Sequence, residues 1–107
     1  MPALAAALPD DAAVLLLAHH PKAFAAARAA GIRLTLAGHT HGGQIALPLA
    51  RRVNTARMLM TPYDGGTFAE DGCLLHVNRG LGTSGQRVRI GVPREITVVT
   101  LRAPAAA

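Results

Sequence analysis

Two histidines stand two positions apart in LTLAGHTHGGQ, residues 34–44, and a third, His19, closes the run VLLLAHHP. Neutral imidazole is the commonest metal ligand, and three of them are the protein complement of some catalytic zinc sites. His39 and His41 lie between Gly38 and the Gly42–Gly43 pair, residues that accept unusual backbone angles and close approach. A second candidate is NRGLGTSG, residues 78–85. Its glycines could expose backbone N–H groups to a phosphate, with Arg79 making a bidentate contact and Asn78, Thr83 and Ser84 beside it. A turn ahead of a last strand explains the same residues, and both readings stand at this point. His76 is expected to be a capped or solvated strand residue. His20 is expected to point away from His19, or to touch a substrate or back up a ligand.

The elements that must position these side chains follow from the local pattern. VLLL is a short apolar run bounded by turn signals, as in a parallel strand buried on both faces. Pro21 suits the first turn of a helix, KAFAAARAA is built from helix formers, and Gly31 supplies the stop. Ile32, Leu34 and Leu36 then alternate with Arg33, Thr35 and Ala37, the period of a second strand ending at Gly38. Strand, helix and strand make a βαβ unit, whose parallel strands end at one edge of the sheet, where open α/β folds hold their ligands. His19, His39 and His41 all fall there, and neighbouring strands about 4.8 Å apart would let the three imidazoles converge.

The rest of the chain reads as mainly β. A short strand is expected from Gln44 to Leu47, then a less regular stretch, Pro48 to Thr61, with a possible strand at Met58–Met60. TFAEDGCLLHV reads as a hairpin turning at Glu70, Asp71 and Gly72. GVPREITVVTL gives a closing strand, Glu95–Leu101, and Ala3–Leu8 a stub of helix ended by Pro9. The fold class is α/β, a βαβ unit followed by strands and hairpins.

Composition bounds what such a chain can be. Its 107 residues suit one domain or part of one. Half are hydrophobic and only 3% aromatic, so the core is expected to consist of Leu, Val, Ile and Ala. The net charge of +5 favours an anionic partner. Nucleic acid is the weaker choice, because the arginines are scattered, with a modest concentration at Arg79, Arg87, Arg89 and Arg94, and no aromatic residues are interleaved. The lone Cys73 excludes an internal disulfide and is expected to be a small buried side chain. The longest apolar stretch, Ala12–Ala18, is shorter than the roughly 20 residues of a membrane-spanning helix. The Ala- and Leu-rich N-terminus lacks a basic region and is interrupted by Pro9, Asp10 and Asp11, so it does not read as a signal peptide. Localisation is left open.

GHTHGGQ, residues 38–44, resembles the GHxH motif of the calcineurin-like metallophosphoesterases, and LLAHHP resembles the preceding motif of that superfamily. HVNRGLGTSGQRVRIGVPREITVVTL is similar to the C-terminal end of its YkuE-like and YaeI-like bacterial phosphodiesterase branch. The similarity runs over nearly the whole chain, to Arg102. It implies the C-terminal half of an αββα sandwich over residues 1–102, with 103–107 a disordered tail. It also implies two divalent metal ions (Mn, Fe, Zn or Co), His19 and His39 ligating one and His41 the other, with water activated by the pair hydrolysing a phosphate ester. His20 departs from the branch, where Asn, Asp or Glu is common.

The superfamily's D-x-H, G-D-x-x-D and G-N-H-[DE] motifs do not occur in these residues. Two cations about 3.5–4 Å apart need a bridging carboxylate, and no acid here is placed to supply one. The resemblance therefore implies a part of the domain that is inactive alone, whose catalytic residues and partner surface lie in an N-terminal half. Any membrane association is expected to reside in that half as well. The alternatives are a non-catalytic module in which three histidines hold one zinc ion, and a basic anion-binding domain. A parallel sheet is normally covered on both faces, so these residues alone are expected to expose apolar sheet surface and to associate.

Overall fold

A computed structural model describes residues 3, 6–103 and 105. The helix stub expected at 3–8 and the tail expected at 103–107 lie in part outside them. The order of elements is β1 (Leu15–Ala18), α1 (Ala23–Ala29), β2 (Leu34–Ala37), a 3-10 turn (His41–Gly43), β3 (Ala46–Leu47), β4 (Ala50–Asn54), α2 (Thr55–Leu59), β5 (Gly66–Glu70) and β6 (Cys73–Val77). One sheet has the order β1-β2-β6-β5, and β3 pairs with β4 in a second, two-stranded sheet.

The βαβ unit forms as its sequence predicts. β1 and β2 pair in parallel, Leu15 with Leu34 through Ala18 with Ala37, and Gly31 takes the left-handed conformation that ends α1. β6 adds in parallel on the other side of β2, and β5 closes the sheet as the antiparallel arm of a hairpin. Asp71 and Gly72, at φ 51° and 72°, make the turn with positive φ at both central residues that matches strand twist.

The two faces of this sheet differ. On one, Thr35, Ala37, Cys73, Leu75 and Val77 are buried beneath Phe24 and Ala27 of α1. All three aromatic residues gather there. Phe24 meets Tyr63 edge to face at 5.7 Å and Tyr63 meets Phe68 at 5.2 Å, so the core is not purely aliphatic. Arg28 fastens α1 to the hairpin turn through Glu70 (3.1 Å) and Asp71 (2.5 Å). Glu70 also accepts from the Tyr63 hydroxyl at 2.7 Å, a bond that raises the phenol's pKa.

The opposite face carries Leu15, Leu17, Leu34, Leu36, Leu74 and His76. No helix covers it among the described residues, and Leu17 is 73% exposed. The expectation of a β1 buried on both faces fails here, because the described residues place a helix on one face only and β1 lies at the sheet's edge. The exposed apolar surface expected of these residues is present.

Three other expectations are corrected. Residues 50–54 form a strand, not irregular chain. Met58 and Leu59 belong to α2 rather than a strand: Asn54 caps that helix by accepting from the Arg57 N–H at 2.9 Å, and Thr-Ala-Arg-Met-Leu favours helix. Glu95–Leu101 runs with no backbone ladder to the described strands. Thr97 ties it to the bare sheet face through His76 Nε2 (3.0 Å) and Asn78 Nδ2 (2.8 Å).

Candidate metal centre

His19 leaves the end of β1 and His39 the end of β2, with Gly38 N–H donating to the His19 carbonyl at 3.2 Å. Their rings meet: His19 Nε2 and His39 Nδ1 are 2.9 Å apart. One of these nitrogens carries the proton they share. Two imidazole nitrogens on one cation at about 2.0–2.1 Å each are separated by about 3.3 Å in tetrahedral geometry, so moving that proton to the donor ring's other nitrogen and opening the pair slightly would make a ligand site. These two donors fit a divalent transition metal. His20 stacks on His39 with centroids 4.4 Å apart, and its Nδ1 accepts from Lys22 N–H at 3.2 Å. Burial, then the neighbouring positive charges of His39, Lys22 and His19, lower its pKa.

His41 does not join this pair. Its Nδ1 faces the Gly82 carbonyl at 3.2 Å. Among the described residues no three His, Cys, Asp or Glu side chains are grouped to hold one metal. The expected convergence of three imidazoles is thus corrected to two, because Thr40 and the positive-φ turn carry His41 away. A cleft of about 220 Å³ keeps His39 and His41 on a common surface with Gln44, Thr55, Met60 and Ser84.

The loop that holds them is strained and braced. His39, His41 and Gln44 have φ of 71°, 51° and 56°, a conformation costing about 1–2 kcal/mol for each residue with a Cβ. Such strain persists only where the surroundings over-determine it, and it clusters at functional sites. The braces are visible. Thr40, 4% exposed, donates its hydroxyl to the Asp64 carbonyl at 2.7 Å and accepts from Gly42 N–H at 3.3 Å. Gly43 (φ 81°) lies so close to the start of α2 that a Cβ would come within 2.7 Å of Ala56 N. Asp64, also buried, receives Asn54 Nδ2 at 2.6 Å and the guanidinium groups of Arg52 and Arg57 at 3.3 and 3.4 Å. Composition and period gave no sign of Asp64 or Thr40 as supports. The Asn-Thr-Ala-Arg-Met-Leu cap signal would have found the helix beside them.

The glycine-rich loop lies against the histidine loop. Gln44 donates to the carbonyls of Ser84 (3.1 Å) and Gln86 (3.3 Å), and accepts from Ser84 N–H. Arg79 places Nη1 on Glu95 at 2.6 Å, and its chain packs beside Gly42 and Gly65. Burial alone would raise the Glu95 pKa, but hydrogen bonds from Thr97 and Arg79 outweigh it and lower the pKa. Asn78 accepts from Gly80 N–H at 2.7 Å. Thr83 and Ser84 are exposed. Arg89 donates to four backbone carbonyls, those of Arg79 (2.8 Å), Gly82 (2.6 Å), Val92 (2.9 Å) and Pro93 (3.1 Å). Its burial, then the charges of Arg94 and Arg79, lower its pKa. His76 is hydrogen-bonded at both ring nitrogens, to Thr67 at 2.9 Å and to Thr97. Cys73 is buried, as expected.

No helix among the described residues is long and apolar enough to cross a membrane. No family model and no solved structure matches the chain. Among curated proteins, it is 37% identical over 95 residues to the uncharacterized metallophosphoesterase YkuE of Bacillus subtilis, covering 89% of this chain and 33% of YkuE. It is 38% identical over 96 residues to a transmembrane protein with metallophosphoesterase domain from Bos taurus, covering 87% of this chain and 20% of that one. The UDP-2,3-diacylglucosamine pyrophosphatase LpxG of Chlamydia trachomatis is 30% identical over 92 residues, with 79% and 28% covered. The chain spans a third or less of the length of these relatives.

Proposed function

We propose that the chain, similar as it is to proteins named as metallophosphoesterases, is the C-terminal part of a dinuclear phosphoesterase domain of the calcineurin-like family. In this reading His19 and His39 hold one divalent cation, Mn, Fe, Zn or Co, and His41 holds a second. Bound there, the cations supply Lewis acidity for the hydrolysis of a phosphate ester. The observation that carries the reading is the 2.9 Å approach of His19 Nε2 to His39 Nδ1 from the ends of adjacent parallel strands.

The histidine loop contributes positioning. Its left-handed residues turn His39 toward His19 and His41 toward Gly82, so that the two rings serve different places. Asn78, Arg79, Thr83 and Ser84 sit on the loop beside them, and His20 on His39, as candidate contacts for the substrate's phosphate or its ester group. Backbone N–H groups of the glycine-rich loop are the better phosphate donors than Arg79, whose guanidinium already engages Glu95.

Carboxylate ligands and the remaining metal shell come from a partner half. Two features support this: the chain corresponds to a third or less of its relatives, and the apolar face of the main sheet is covered by no helix among the described residues, leaving Leu17 73% exposed. A second sheet of an αββα sandwich would cover that face, and Glu95–Leu101 already crosses it.

The test is turnover of a chromogenic phosphodiester with manganese. The chain alone is expected to be inactive. Co-expression with a matching half bearing the D-x-H and G-D-x-x-D motifs is expected to restore activity. Robust turnover by this chain alone would refute the division of the site.

A further inference from the structure

Arg89 has no role in the reading above, yet its guanidinium is bound on several sides. Its nitrogens donate to four backbone carbonyls, and among the described residues no carboxylate pairs with it directly. The shortest of these bonds, 2.6 Å, reaches the Gly82 carbonyl. That oxygen is also the one facing His41 Nδ1 at 3.2 Å. A carbonyl oxygen has two lone pairs and only accepts. His41 must therefore donate from Nδ1, which in the neutral ring makes Nε2 the nitrogen with a free lone pair.

We propose that Arg89 is a positioning residue for His41, holding the Gly82 carbonyl where it selects the Nδ1–H form of the ring and presents Nε2 to a metal. A histidine ligand ordinarily has its second ring nitrogen fixed by such an acceptor, and losing that support weakens metal binding. Glycine at position 82 leaves this acceptor on an exposed stretch of backbone, where nothing but its partners orients it. Arg89 supplies that orientation through its 2.6 Å bond to the same oxygen. The remaining bonds, to Arg79, Val92 and Pro93, anchor the guanidinium to both ends of the segment it spans. Gln44 holds the same loop two residues further on, at Ser84. The metal-binding consequence rests on His41 being a ligand, as proposed above, whereas the ring's protonation form does not.

The experiment is long-range proton–nitrogen NMR of the imidazoles in the metal-free chain, at a pH where His41 is neutral. The wild type is expected to show His41 protonated at Nδ1. Arg89→Gln is expected to move His41 toward the Nε2–H form, and Arg89→Lys to restore Nδ1–H in part. A wild-type His41 protonated at Nε2 overturns the proposal with no variant needed. An unchanged Nδ1–H form in a folded Arg89→Gln chain overturns the role of Arg89. Loss of the folded sheet in both variants assigns Arg89 to the loop's general support and overturns it too.

Cobalt(II) titration of the chain co-expressed with its matching half, followed by absorption, is the second readout, with about 10-fold weaker binding of the second cation expected in Arg89→Gln. Binding unaffected by His41→Ala would refute the ligand assignment while leaving the NMR result standing, so the two failures are separable.

Discussion

Two threonines, five residues apart in sequence, give opposite expectations for the same substitution. Thr40 and Thr35 are both buried, at 4% and 0% exposure. The Thr40 hydroxyl donates to the Asp64 carbonyl and accepts from Gly42 N–H, whereas the Thr35 hydroxyl has no partner among the described residues. Valine nearly matches threonine in shape, so the change isolates the hydroxyl. In Thr40→Val two buried backbone groups lose their partner, at about 1–3 kcal/mol each. The longer bond to Gly42 sits at the low end of that range, and the sum is about 2–4 kcal/mol. In Thr35→Val an unpaired hydroxyl leaves the interior, a gain of about 1–3 kcal/mol on mutational scales, with valine's preference for strands adding to it. For a domain of this size 1 kcal/mol moves Tm by about 4–8 °C. Thr40→Val should therefore melt at least about 8 °C lower and Thr35→Val about 4 °C or more higher. Urea titration with an unchanged m-value would confirm that both effects belong to the folded state. Equal shifts of the same sign in the two variants would refute the assignment of the hydroxyls.

Further expectations follow from the site and its braces. Replacing His19, His39 and His41 together by Ala should abolish divalent-metal uptake in elemental analysis, and unchanged uptake would remove the metal centre. The Glu95 pKa is lowered in the folded chain, so the group's contribution is present above the ordinary glutamate value near 4.5 and is lost as pH falls through the lowered one. Acid should thus release the Glu95–Leu101 segment, and Glu95→Gln should flatten that pH dependence when followed by hydrogen exchange. Gly91→Ala would drive a Cβ into the Ala46 carbonyl at a φ of 71°. It should cost several kcal/mol and break the Ile45–Ile90 bridge, seen as lost amide protection at Ala46. The bare sheet face should make the isolated chain self-associate, whereas a monodisperse monomer in sedimentation would contradict that.

The βαβ unit and the hairpin were legible because short-range pattern decides them: an apolar run, a Pro-to-Gly helix, a period of two, an Asp-Gly turn. The placement of His19 beside His39 followed from that topology alone. The separation of His41 did not, since it depends on φ values at residues with a Cβ, which sequence statistics disfavour. Arg89 and Asp64 were equally hidden. Their roles come from contacts with backbone carbonyls and with groups distant in the chain, and no periodicity encodes those. Phe24, Tyr63 and Phe68 were discounted for being few, yet Phe24 is fully buried in the core and the two partly buried rings of Tyr63 and Phe68 pack against it. For Glu95–Leu101 the alternation was readable but the partner was not, because strand pairing needs a second edge.

The register of β2 with β6 joins Leu34 to Leu74, and the whole histidine loop lies in the chain between them. Closing so long a segment carries an entropic cost that the local βαβ contacts do not share, and non-local pairings of this kind slow folding. The βαβ unit and the hairpin can each form early from neighbouring residues, bringing His19 near the end of β2. The left-handed turns at His39 and His41 gain their support only once the two halves of the sheet meet and Asp64 and Gly82 arrive beneath them. The turns at His39 and His41 are then expected among the last features to form, and the His39 and His41 ring signals should reach their native positions in the slow phase of refolding.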